Sequence, residues 1–331
     1  MPGRVAGRLR PAGRPDRDHG GRAVRAAGQH QPAAHRPDLA DRRAGGGVIL
    51  SSASRVAVPL VLQRQLAAVG QIYFQDSPIF GAVLLLCLFL SGPPLALGCV
   101  LGVACASLAA WAFKLPEEHR HNGLYGFNGA LAGVGLCAVY QLEGPLLLMV
   151  AGAGALTAAF TYAAERARIP PLTLPFVVAM WLAGAVAHSI GLQESMPAPG
   201  GCGTTVASYL FCSMGQAAFI GGAPLGMLLW AALARRHWHQ AMWGLSGALF
   251  SWLAITLANQ LWPGAGIESQ STGAGINSTL AMLALGAHEC RWPSGLAGAA
   301  LSIMLSVGLG ATGIHYFTLP FILAIWFIRR R

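Results

Sequence analysis

Charge is what this chain has least of: only 10% of its 331 residues are Asp, Glu, Lys or Arg, against about 25% in an ordinary soluble domain. Set beside 54% hydrophobic residues, that scarcity excludes a water-soluble globular protein. It points to an all-α integral membrane protein, because a segment in lipid must satisfy its own backbone hydrogen bonds. Carboxylates are scarcer still. Asp76 and Glu289 sit at segment ends, and Glu143, Glu165, Glu194 and Glu268 lie in connections. Ion-coupled transporters and proton pumps need ionisable groups at membrane depth, so the pattern favours passive movement of something uncharged. The seven cysteines include no C-x-x-C pair and are expected to be buried as small hydrophobes, which implies no metal and no cofactor. Paired carboxylates, a His-x-x-x-His pattern and an activated Ser or Cys are all missing, so an enzyme embedded in the membrane is disfavoured.

The formal net charge of +10 is concentrated at the beginning of the chain, where residues 1–47 hold ten Arg and four Asp. This Arg/Pro/Gly/Ala-rich leader has no apolar signal-peptide core and is expected to be disordered. No function is assigned to it, and no nucleic-acid partner.

Past the leader, one stretch occurs twice. Pro170-Pro171-Leu172-Thr173-Leu174-Pro175-Phe176, followed by Trp181, returns as His315-Tyr316-Phe317-Thr318-Leu319-Pro320-Phe321, followed by Trp326; matching residues are 145 apart. Each copy reads as a helix start within an apolar neighbourhood, with Pro175 or Pro320 in the first turn and Thr173 or Thr318 as the cap. Two further landmarks repeat in the same order. Gly70-Gln71-Ile72-Tyr73-Phe74 matches Gly215-Gln216-Ala217-Ala218-Phe219 at 145, and Gly126-Phe127-Asn128 matches Gly275-Ile276-Asn277 at 149. Long repeats with Gly/Pro-interrupted segments in matching places point to the substrate path of a transporter. Between these landmarks the apolar runs are 52–74, 79–91, 94–113, 144–163 and 173–190, then 204–220, 224–234, 240–261, 292–309 and 318–328. Residues 122–140 are too short and too Gly-rich for an easy crossing and are expected to be re-entrant.

The chain therefore divides into a leader (1–47), a first transmembrane repeat (48–195) and a second (196–331). An odd number of spans per half makes the halves inverted. Ten crossings bring both termini to one side, and Arg55, Arg64 and the terminal Arg329-Arg330-Arg331 mark that side as cytoplasmic.

What remains at membrane depth is neutral and oxygen-rich: Gln71, Gln216, Thr173, Thr318, Asn128 and Asn277, beside Phe74, Phe127, Phe176, Phe219, Phe321, Leu131 and Leu280. A single Asn or Thr in a span more often ties helices together, and Asn128 and Asn277 are given that supporting role. The duplicated Gln and Thr stand apart, because the same chemistry recurs at the same place in both halves. Oxygens in a row beside flat apolar faces suit a small, planar, uncharged solute rich in N–H donors, of which urea is the simplest. An ammonia channel would call for paired pore histidines, and His188 and His315 do not correspond under the repeat.

These motifs together resemble the urea transporter family. The resemblance rests on Gly70 to Pro78, Leu124 to Leu131, Pro171 to Phe176, Gly275 to Leu280 and Phe317 to Phe321, and covers about residues 55–328. It implies ten membrane helices plus two re-entrant half-helices in two inverted halves, and a homotrimer in the inner cell membrane with a passive urea pore in each protomer. By that likeness Thr173 and Thr318 meet at a narrow central site, and Gln71 and Gln216 bind substrate on either side of it. Phe74, Phe127, Leu131, Ile276 and Leu280 would form the flat slots. Ile276 stands where a Phe is common and Ala217 is small for its position, a departure that would loosen selection against larger amides.

Overall fold

The computed structural model describes residues 59–195, 205–288 and 290–329. The expected disordered leader, the first residues of the 52–74 run, the junction of the two repeats after Ser195, and Arg330 and Arg331 lie outside the described residues. Among those described the architecture is entirely helical, with one isolated antiparallel bridge between Tyr140 and Glu194. The helices are α1 (Leu60–Gly70), α2 (Pro78–Ser91), α3 (Pro93–Ala112), α4 (Glu117–His121), α5 (Gly126–Val139), α6 (Gly144–Arg166) and α7 (Leu174–Ile190), then α8 (Val206–Gln216), α9 (Ala223–Arg236), α10 (Trp238–Leu261), α11 (Ser271–Ala287), α12 (Trp292–Gly310) and α13 (Leu319–Arg329). Four of them, α3, α6, α10 and α12, are each long and apolar enough to cross a bilayer alone.

Proline opens most of these helices. It occupies the first turn of α2, α3, α6, α7, α9 and α12, where its missing N–H would have had no intrahelical partner. The expected runs 52–74 and 204–220 end earlier than their hydropathy suggests. α1 stops at Gly70 and gives way to a 3-10 turn over Gln71–Tyr73, and α8 stops at Gln216. The reason is a left-handed residue in each copy, Phe74 (φ 59°) and Phe219 (φ 60°). The backbone then closes back on the helix end, with the Gln75 N–H donating to Gly70 O at 3.2 Å and the Ile220 N–H to Gly215 O at 3.1 Å, as at other left-handed helix ends. α1 and its turn meet α2 at a 74° bend.

Glycine seams set how closely the helices approach, as they do where van der Waals contact replaces the hydrophobic effect. A Cβ on Gly81 would lie 1.8 Å from Leu66 O, and one on Gly226 would lie 1.8 Å from Phe211 O, so the α1–α2 and α8–α9 crossings are the same contact made twice. On α3, Gly98 faces Gly133 and Gly102 faces Gly129, which sets α5 antiparallel to α3. α5 is the segment expected to be re-entrant, and it does not turn back within its length. Tyr125 at its start reaches Glu165 at the far end of α6, and Gln141 just past its end bonds to Gln193 O after α7. A sharp break in direction falls between α1 and α2. Of the cysteines, Cys87, Cys99 and Cys137 are buried free thiols as expected, whereas Cys212 on α8 is disulfide-bonded.

Because the Gly226 position faces a backbone carbonyl that cannot swing away, Gly226→Ala is expected to destabilise the fold by about 1–3 kcal/mol. A thermal midpoint in detergent equal to that of the unsubstituted protein would contradict this packing.

Candidate functional site

α7 and α13 begin at the same point and leave it in opposite directions. The hydroxyls of Thr173 and Thr318, one residue before each helix, are 2.7 Å apart and hydrogen-bonded to each other. Both threonines are buried. The Trp181 indole N–H, two turns along α7, donates to the carbonyl of His315 ahead of α13 at 2.7 Å; the Trp326 N–H on α13 donates to Pro170 O ahead of α7 at 3.1 Å. The aromatic contacts exchange in the same way: Phe74 meets Phe321 edge-on and Phe219 meets Phe176 edge-on, each with centroids 6.2 Å apart.

The threonines do not cap their helices. Thr173 makes no side-chain cap bond, because its hydroxyl is committed to Thr318. The cap comes from another helix. Asn128 on α5 accepts from the Phe176 N–H at 3.3 Å and donates to Leu172 O at 3.0 Å; Asn277 on α11 accepts from the Phe321 N–H at 3.0 Å and donates to Phe317 O at 3.0 Å. Each asparagine thus supplies the N3 bond that an N-cap side chain usually makes. It also satisfies the carbonyl of a left-handed residue, Leu172 (φ 44°) or Phe317 (φ 46°). Both asparagines are fully buried. With Pro175 and Pro320 needing no donor partner in the first turn, both helix starts are satisfied without water.

One side of the threonine pair opens into a cavity of about 600 Å³. Its wall includes Gln216, Ala217, Leu131, Ile276 and Thr318 from the sequence-derived candidates. It also includes Phe176, Phe219 and Phe317, with Ser91, Ser195 and Thr272 further along. No Asp, Glu, Lys, Arg or His lines it among the described residues. Gln71, Phe74, Phe127, Leu280 and Thr173 are not part of this wall. On their side the Gln71 amide donates to the carbonyl of Asn122, just ahead of α5, and Phe127, Leu280 and Thr173 are buried. The loop carrying Asn122 is tied to α6, with the Tyr125 hydroxyl 3.1 Å and His119 Nε2 3.7 Å from the Glu165 carboxylate. Burial, and then the neighbouring Glu165, raise the Tyr125 phenol above its ordinary value, so it stays protonated and donates.

Phe317 was not among the sequence candidates. Its signal was present in hindsight as the partner of Leu172 at the repeat spacing, but an aromatic at a left-handed position is not legible without the backbone. Tyr73, whose hydroxyl reaches the carbonyl of Met214, was not among the sequence candidates either; its counterpart at the repeat spacing is Ala218.

Apolar helices of this kind, meeting through neutral side chains at a buried break, define a multi-pass membrane protein with an uncharged cavity in its core. The urea transporter family model matches residues 62–329, and the chain belongs to that family. Among curated relatives it is similar to urea transporter 1 of Rattus norvegicus and of Ovis aries, each 29% identical over 119 residues, 34% of this chain and 31% of the relative. Urea transporter 1 of Mus musculus is 33% identical over 73 residues, 22% of this chain and 19% of the relative. The matched stretch therefore spans less than a third of these relatives.

Replacing Asn277 with Ala would orphan the buried Phe317 carbonyl and Phe321 N–H together, a loss of about 1–3 kcal/mol for each unsatisfied group. The expected readout is a clear fall in thermal midpoint, which Asn277→Leu, similar in size but without polar atoms, does not recover. An unchanged midpoint in either variant would contradict the two-bond role.

Proposed function

We propose that this protein is a passive, channel-like urea transporter, not an enzyme, which moves urea down its gradient through a pore in each protomer. The observation that carries the reading is the Thr173–Thr318 pair, with Thr318 on the wall of a cavity that also presents Gln216 and aromatic faces and no charge. The path would run from this cavity past the two hydroxyls to the Gln71 side, with Phe74, Phe127 and Leu280 flanking Gln71 as Phe219, Ile276 and Leu131 flank Gln216. Urea carries four N–H donors and one carbonyl in a plane. Glutamine and threonine oxygens accept N–H bonds and their own donors serve the carbonyl, at a net value of about 1 kcal/mol per bond, enough to replace lost water without trapping the solute. The threonine hydroxyls satisfy each other in the absence of solute, so opening them to urea exchanges one hydrogen bond for another and leaves no buried group unpaired.

The two halves, 48–195 and 196–331, are proposed to be inverted repeats contributing ten crossings in all. Reciprocal contacts of the kind made by Trp181 and Trp326 support a two-fold relation, since residue i of one half meets j of the other and j meets i. The bent α1–α2 and α8–α9 pairs are then the candidates for re-entrant segments. With the halves inverted, Lys114, Arg120, Arg166, Arg168, Arg235, Arg236, Arg291 and Arg329 come to one face, and Glu143, Glu194 and Glu268 to the other. By the excess of Lys and Arg on cytoplasmic loops, the first face, with the C-terminus, is cytoplasmic and the 600 Å³ cavity opens on the far side. A homotrimer in the inner cell membrane completes the proposal. Ile276 and Ala217 on the cavity wall favour passage of a short amide as a second reading.

In proteoliposomes without an ion gradient, urea flux is expected to be voltage-independent. Thr173→Val and Thr318→Val should each cut it about fivefold or more, the equivalent of one net hydrogen bond; unchanged flux in the double variant would remove the threonines from the path. Ile276→Phe should lower acetamide permeation relative to urea, and an unaltered ratio would refute the slot assignment.

A further inference from the structure

The turns that carry Gln71 and Gln216 are built alike but held differently. The Gln71 side chain is anchored directly, on the Asn122 carbonyl. The Gln216 side chain lies on the cavity wall, so its direction depends on the backbone at the end of α8. That end is gripped from the other half of the molecule. The hydroxyl of Tyr73, a fully buried residue, donates to the Met214 carbonyl and lies 3.5 Å from the Gly215 carbonyl. Carbonyls in the last turn of a helix have no intrahelical partner, and at membrane depth there is no bulk water to serve them. The Gly215 carbonyl also accepts from the Ala218 and Ile220 N–H groups at 3.0 and 3.1 Å; the Met214 carbonyl is served by Tyr73.

Tyr73 is itself fixed. Its ring packs edge-on against Phe80 with centroids 5.8 Å apart. Its carbonyl accepts from Gln240 Nε2 at 3.4 Å, and Gln240 Oε1 accepts from Gln75 Nε2 at 2.6 Å. The residue that corresponds to Tyr73 in the second half is Ala218, which has no hydroxyl to return the bond.

We infer that Tyr73 is a positioning residue for Gln216: a hydroxyl from the first half holds the last turn of α8 so that the Gln216 amide faces the cavity, and only this one of the two glutamine sites is held so. The inference rests on Gln216 being a urea-binding residue, as proposed above. It is tested by a double-mutant cycle, with urea flux measured against urea concentration in proteoliposomes containing the full chain. Tyr73→Phe is expected to raise the half-saturation concentration about fivefold, the equivalent of one net hydrogen bond, with little change in limiting flux. It should add nothing in a Gln216→Ala background and should act in full in a Gln71→Ala background, because only groups that work through one another fail to add. If Tyr73→Phe does not fold, Tyr73→Met, flexible enough to fill the space but without a donor, takes its place in the cycle. An effect of equal size in the Gln216→Ala background, or an unchanged half-saturation concentration, would overturn the inference. Wild-type protein without urea flux, or Gln216→Ala without effect, would instead overturn the reading of the site itself, and the inference with it.

Discussion

Two helices that begin in the middle of an apolar core present N–H groups that neither lipid nor solvent can reach. The molecule meets this constraint by bringing an asparagine from a neighbouring helix to each start. Asn128 and Asn277 each accept from the N3 amide and donate to the left-handed residue just ahead of the helix. The exposed backbone of a broken helix is thereby satisfied without water, which is the condition for irregular structure at membrane depth. The consequence for the site is direct. A threonine that capped its own helix would have its hydroxyl turned to its own backbone. Relieved of that duty, Thr173 and Thr318 face each other across the junction of the halves.

The rest of the architecture maintains that junction. Glycine seams bring α1 against α2 and α8 against α9 at backbone distance, and the left-handed Phe74 and Phe219 end α1 and α8 beside the edge-on aromatic pairs. The crossed Trp181 and Trp326 bonds hold each helix start to the opposite helix. The two sides of the junction nevertheless differ. One has an open cavity with Gln216 on its wall, while on the other Gln71 is engaged by the loop before α5. The sequence differences at this junction include Tyr73 against Ala218, Gln75 against Ile220, and Gln240 against Leu95.

A good part of this was legible in the linear chain. The duplicated Thr-Leu-Pro-Phe and Gln motifs located both the helix breaks and the neutral oxygens, because a repeat of 145 residues survives in side-chain identity. Asn128 and Asn277 were given a supporting place because buried amides that recur beside broken helices have backbone to satisfy, and each bonds backbone groups at a helix start. The cap assignment to threonine failed for a physical reason: Thr before Pro fits a local cap equally well, and only the approach of α5 and α11 shows that another side chain has taken the role. Shortness and glycine content describe a half-helix and a closely packed helix alike, so they do not by themselves fix the course of α5.

The sequence by itself determined what an internal cavity can be lined with. With so few charged residues in the apolar runs, any internal path had to be lined by amides, hydroxyls and aromatic faces. Tertiary structure alone decided which of these share a wall. Hydrogen bonds between residues 145 apart, and a hydroxyl donated from Tyr73 to the Met214 carbonyl, depend on how helices distant in sequence pack. Packing is set by small-residue contacts and backbone conformation that no run of letters displays.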